Sequence, residues 1–107
     1  MRSRKYRKAD SFGRRMIELR YVLAKTLRTE RRNRHITQKR LAYLMDAAPS
    51  TISYIECMSS KVRIDQIVRA FIILGMDDDA IAAAFNPGSD AEIRQLRART
   101  SGRFYQW

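Results

Sequence analysis

Ile36 to Glu56 reads I-T-Q-K-R-L-A-Y-L-M-D-A-A-P-S-T-I-S-Y-I-E, and the fold turns on how that stretch is divided. Leu41, Ala42 and Met45 recur at helical spacing, with Tyr43 and Leu44 flanking that stripe. Thr37 suits the N-cap, because its hydroxyl can accept from an otherwise unpaired N–H of the first turn. Asp46-Ala47 interrupts the pattern. Pro49 then fits the first position of a second helix, where its missing N–H costs nothing, and Ile52 and Ile55 give that helix an inner face. The reading is helix, tight turn, helix, the arrangement in which a second helix can enter a DNA major groove.

Charge points the same way. The 107 residues carry a formal net charge of +11, concentrated at one end: residues 1–40 sum to +12, residues 41–74 to zero, residues 75–88 to −3 and residues 89–107 to +2. Such a polarised field favours a polyanion through steering and counterion release. Nucleic acid is favoured over an anionic membrane surface, since the basic first helix also carries Leu, Tyr and Val that must pack internally. The apolar runs Ala70–Leu74 and Ala80–Phe85 are too short to span a bilayer, and no apolar h-region follows the basic start. One cysteine, Cys57, excludes an internal disulfide. These features predict a cytoplasmic, nucleoid-associated protein with no membrane partner.

Outward from the central stretch, residues 1–10 lack periodicity and read as a flexible basic arm. Ser11 is expected to cap a long helix through Asn33, in which Phe12, Met16, Leu19, Leu23 and Leu27 form an apolar stripe widened by Ile17, Tyr21 and Ala24. Asn33 is expected to close it in the left-handed conformation. Beyond Glu56, residues 57–63 read as a loop. A helix then carries Ile64, Ile67, Val68, Phe71, Ile72 and Leu74 and is stopped by Gly75. Asp77 caps a short helix through Phe85, and Asn86-Pro87-Gly88 breaks the chain. Ser89-Asp90-Ala91-Glu92 fits a capping box for a last helix to about Arg99. The class is all-α, a compact bundle of about five to six helices containing a helix-turn-helix. Its parts are the arm 1–10, a DNA-binding domain 11–86, and a C-terminal helix and aromatic tail 87–107.

Leu27 to Met76 resembles the DNA-binding domain of the Cro/repressor (Xre-like) helix-turn-helix family. The residues that carry the resemblance are Thr37, Gln38, Leu41, Ala42, Ser50, Thr51, Ile52, Ser53, Ile55 and Glu56, with Leu74-Gly75 at suitable distance. It covers about half of the chain and implies a lambda-repressor-like bundle, with residues 37–45 positioning and residues 48–57 recognising. The family's base-reading positions correspond to Ala48, Pro49, Ser50, Ser53 and Tyr54. Glu56, by the same likeness, ties helices together through an arginine. The chain departs from the family at four places: Asp46 stands for the usual turn glycine, Ala48 lacks a capping hydroxyl, Pro49 replaces a long polar reader, and Cys57-Met58 replaces Asn-Gly.

Ser50 and Ser53 are short, and Tyr54 alone among these positions has reach. Bidentate Arg, Asn or Gln contacts, which discriminate bases by about 1–3 kcal/mol each, are missing from this set. Phosphate contacts are expected from Gln38, at a helix N-terminus, and from Lys39, Arg40, Lys61 and Arg63. Arg2, Arg4, Lys5, Arg7 and Lys8 in the arm are candidates for a narrow minor groove. Phe104, Tyr105 and Trp107 are expected to serve a dimer or partner contact.

The sequence assembles no enzyme, cofactor or metal site. His35 lacks a carboxylate or cysteine partner, and Asp77-Asp78-Asp79 lacks the spacing of a calcium loop. The expectation is a double-stranded-DNA-binding transcriptional regulator, a small prokaryotic or phage repressor acting as a homodimer. Two alternatives are a helix-turn-helix antitoxin that neutralises a toxin partner, and a protein-interaction adaptor that retains the fold.

Overall fold

The computed structural model describes residues 2–59 and 61–100, with side chains described for residues 13–59 and 61–99. Among them the chain is all-helical: α1 (Arg2–Asn33), α2 (Gln38–Leu44), α3 (Pro49–Glu56), α4 (Ile64–Ile73), α5 (Asp78–Ala84), a 3-10 turn at Pro87–Ser89, and α6 (Ala91–Thr100). The core forms where α1, α2, α3 and α4 meet. Leu23 and Leu27 of α1 pack with Leu41, Ala42 and Met45, with Ile52 and Ile55, and with Ile67, Ala70, Phe71 and Leu74. Leu27, Leu41, Ile52 and Phe71 are the largest fully buried side chains, each contributing about 1.5–3 kcal/mol of burial. Phe85, following α5, closes one side edge-to-face on Phe71, with ring centres 6.3 Å apart.

Several helix ends follow their expected chemistry. Thr37 Oγ1 accepts from Arg40 N at 3.0 Å, Asp77 Oδ1 accepts from Ala80 N at 2.8 Å, and Pro49 opens α3. Others correct the sequence reading. Helix α1 begins at Arg2 rather than Ser11, so the backbone of residues 2–10 is helical rather than an irregular arm. Lys, Arg and Ala are strong helix formers, and extending an existing helix costs far less than nucleating one. Asn33 is the last helical residue, and the left-handed conformation falls on His35 (φ 55°). Helix α6 is capped by Asp90, whose Oδ1 accepts from Ile93 N at 3.1 Å. Ser89 belongs to the preceding turn, its hydroxyl donating to the carbonyls of Asn86 (2.8 Å) and Ala83 (3.1 Å).

The turn between α2 and α3 is made at Asp46, with φ 54°. This is the left-handed region in which a side chain crowds the following carbonyl, a cost of about 1–2 kcal/mol that aspartate partly relieves. Asp46 is exposed, so its side chain is not needed for packing. Asp46→Gly is expected to stabilise the fold by about 0.5–1 kcal/mol, the relief of crowding exceeding the entropy glycine gains in the unfolded chain. Chemical denaturation would show this as a higher midpoint at unchanged slope. An unaltered or lower midpoint would refute strain at this turn.

Candidate nucleic-acid interface

Helix α3 divides its residues cleanly between two environments. Ile52, Ile55 and Glu56 are buried, which fixes the helix against α1 and α2. Ala48, Pro49 and Ser50 are exposed at its start, Ser53 is half-buried, and Tyr54 is 46% exposed near its end. The five positions assigned to base reading thus occupy the start and outer side of one short helix. None of the five is charged, so this helix offers hydroxyl groups and apolar surface.

The inner end of α3 is held by ionic contacts. Glu56 accepts a two-pronged contact from Arg31 of α1, with Nε to Oε2 at 2.7 Å and Nη2 to Oε1 at 3.1 Å. Arg28, one turn earlier, donates to the Glu56 backbone carbonyl at 2.8 Å. Arg31 also donates through Nη1 to the Ile36 carbonyl at 2.8 Å, tying down the α1–α2 connection. Burial pushes the Glu56 carboxyl up. The hydrogen bonds from Arg31 and Gln38, with the charges of Arg31 and Arg28, outweigh that and hold it below the ordinary carboxylate range.

Gln38 is half-buried, and its amide nitrogen donates to Glu56 Oε1 at 3.1 Å. A phosphate at this place would meet the second N–H of that amide or the backbone N–H groups of the first turn. Lys39 and Arg40 are exposed on α2, and the Arg40 guanidinium lies 5.3 Å from the centre of the Tyr43 ring. Lys61 is exposed in the loop after α3, where its N–H bonds the Ser59 hydroxyl at 3.1 Å. Arg63 is exposed but engaged, contacting Asp65 at 3.1 and 2.8 Å. That pair is solvated and easily exchanged, so Arg63 can release Asp65 for a stronger anion.

The structure therefore brings Gln38 to Glu56 beneath α3, and leaves Lys39, Arg40, Lys61 and Arg63 on the surface of the elements next to it. The backbone of Arg2, Arg4, Lys5, Arg7 and Lys8 is helical within α1, and their side chains lie outside the described ones. Phe104, Tyr105 and Trp107 lie outside the described residues.

Arg31 and Arg28 were missing from the sequence reading of this region, although a signal existed. Leu23, Leu27 and Arg31 recur every four residues, so Arg31 continues a buried apolar stripe, where an arginine requires a buried partner. Among the described residues no helix is long and apolar enough to cross a membrane, and no group of three or more His, Cys, Asp or Glu could hold a metal ion. Comparison with protein-family models, with curated proteins and with solved structures gives no significant match.

Proposed function

We propose that the chain binds double-stranded DNA through the α2–turn–α3 unit and acts as a transcriptional repressor, working as a homodimer on paired half-sites. The observation that carries this reading is the exposed outer side of α3, set on a buried inner side and neighboured by Lys39 and Arg40 on α2 and Lys61 and Arg63 in the following loop. A helix presented this way fits the width of a major groove, and flanking cations suit the phosphate rails on either side. The likeness of Leu27–Met76 to the Cro/repressor family and the +11 charge support the same partner. Dimerisation is part of the proposal because one short reading helix discriminates little, whereas two half-sites at fixed spacing multiply the discrimination.

The roles of individual residues separate experimentally. Selection from a random duplex library supplies a preferred site, and binding to that site and to a scrambled one is then compared. Tyr54→Ala is expected to narrow the gap between the two by about 1–3 kcal/mol. Lys61→Ala should weaken both alike and lower the salt slope by about one. Equal loss of discrimination from both substitutions would reverse the assigned roles, and no binding to any duplex at low salt would remove the function.

A further inference from the structure

Helix α6 is fastened along α1, by Lys25 to Asp90 at 3.0 Å and by Arg97 to Glu18 at 2.6 Å, and its Ile93 is buried. Among the described residues, helix α4 has no such cover on its outer side. Its inner face gives Ile67, Ala70 and Phe71 to the core. A second apolar row, Ile64, Val68 and Ile72, runs along one flank at intervals of four residues. Val68 is partly buried, whereas Ile64 is 63% and Ile72 60% exposed. Isoleucine is a poorer helix former than Lys, Glu or Leu, so helix formation alone gives no reason for it at two solvent positions.

We propose that two copies of the chain pair through this row, α4 against α4 in antiparallel order about a two-fold axis at Val68. The row is symmetric about its middle, so Ile64 of each copy meets Ile72 of the other and Val68 meets Val68. A two-fold dimer needs such a patch, one that is complementary to itself. Residues four apart also form the ridges by which helices interdigitate. Charge selects the same order. Asp65 and Arg69 are exposed in the adjoining row. At 1.5 Å of rise per residue, antiparallel pairing sets each Asp65 within about 3 Å, along the helix axis, of Arg69 in the other copy. Parallel pairing would instead set Asp65 on Asp65 and Arg69 on Arg69. Arg69 uses Nη1 on the Met45 carbonyl at 3.4 Å and has further N–H groups to give. Helix α4 carries one acid and one base, so this face is locally neutral, while the excess charge lies in residues 1–40. The remaining repulsion between copies at +11 is long-range and is screened by salt. One ten-residue helix against its copy falls below about 1,200 Å² of buried surface, the class of weak contacts, so free copies should associate only at micromolar concentrations or above. This pairing rests on the dimer proposed above for its second copy, and not on DNA binding.

Sedimentation velocity at about 0.3 M salt, over about 1 μM to 1 mM protein, should show a reversible monomer–dimer equilibrium. Ile64→Gln with Ile72→Gln, two exposed positions given a better helix former, should raise the dissociation constant about a hundredfold or more. Far-ultraviolet circular dichroism should be unaltered by that pair. Asp65→Arg alone should also weaken the dimer, by setting arginine against arginine. Adding Arg69→Asp to it should restore association, because the exchange preserves every opposite pairing, and this second set leaves the apolar row untouched. A monomer at every concentration would overturn the proposal, as would a dimer that survives the isoleucine substitutions. An exchange no better than Asp65→Arg alone would overturn the antiparallel order. Duplex binding is read separately, on a single half-site that needs one copy, where the parent and the isoleucine variant should bind alike. Failure of both to bind duplex, with the parent dimer intact, would remove the DNA reading and leave the pairing in place.

Discussion

Glu56→Ala is expected to destabilise the fold by about 3–5 kcal/mol, a large share of the roughly 5–15 kcal/mol that keeps a domain folded. The carboxylate is 4% exposed and the Arg31 side chain 10%, so removing the acid strands a guanidinium where water cannot easily reach it. Gln38 loses its acceptor in the same step. Replacing both members of the pair with Met should cost less than either single change, because a buried pair of charges can be exchanged for apolar packing more cheaply than it can be halved. Arg31 has a second duty on the Ile36 carbonyl, which should keep the double variant below the parent. The ion pair also sets a pH dependence. The folded Glu56 titrates below its unfolded value of about 4.3, so its contribution is complete above that value and is lost as pH falls through the lower, folded one. Thermal melts from pH 7 down to pH 2 should show a steeper loss for the parent than for Glu56→Gln. Parallel curves would remove Glu56 from this role.

On the proposed DNA-binding reading, the largest expected effect is on affinity for duplex. Lys39, Arg40, Lys61 and Arg63 next to α3, with Arg2, Arg4, Lys5, Arg7 and Lys8 at the start of α1, supply enough cations for six to ten phosphate contacts. Binding should then weaken about 10³–10⁵-fold between 50 and 200 mM salt. The helical backbone of residues 2–10 bears on how the early cations act. From Arg2 to Lys8 the backbone rises about 9 Å as a helix, against about 20 Å extended. Replacing those five with Gln should reduce the salt slope by as much as 4–5 if all of them meet phosphates, and should weaken the preferred and scrambled sites alike. A slope unchanged by the five substitutions would confine the contacts to α2 and the loop. Loss confined to the preferred site would favour minor-groove reading by these residues.

How much of this was legible in sequence depended on the range of the interaction. The caps at Thr37 and Asp77 and the opening proline of α3 involve neighbours within three or four residues, and the helix period marks the buried faces of α2, α3 and α4. Competition between adjacent candidates was harder. Ser89 and Asp90 both suit a cap, and the winner depends on a turn that draws Ser89 back to Ala83 and Asn86. Docking of α6 was not legible, because its fasteners join residues 65–79 apart in sequence and its apolar face is thin. Gln38 was visible as a residue at a helix start. Its bond to Glu56, eighteen residues on, depends on how α2 and α3 cross.

The position of α1 has a consequence for how the molecule is made. Its stripe is finished when Leu27 has been synthesised, but Phe71 follows 44 residues later and Ile93 22 residues after that. At about 5–20 residues per second, a nascent helix would wait roughly 3–13 s for its last partner. Leu41 and Ile52 follow Leu27 by 14 and 25 residues and cover part of that stripe first, and the stems of Arg20, Lys25, Arg28 and Arg31 lie beside what is still open. The charge of +12 over residues 1–40 then opposes association of unfinished copies before the rest of the bundle is made.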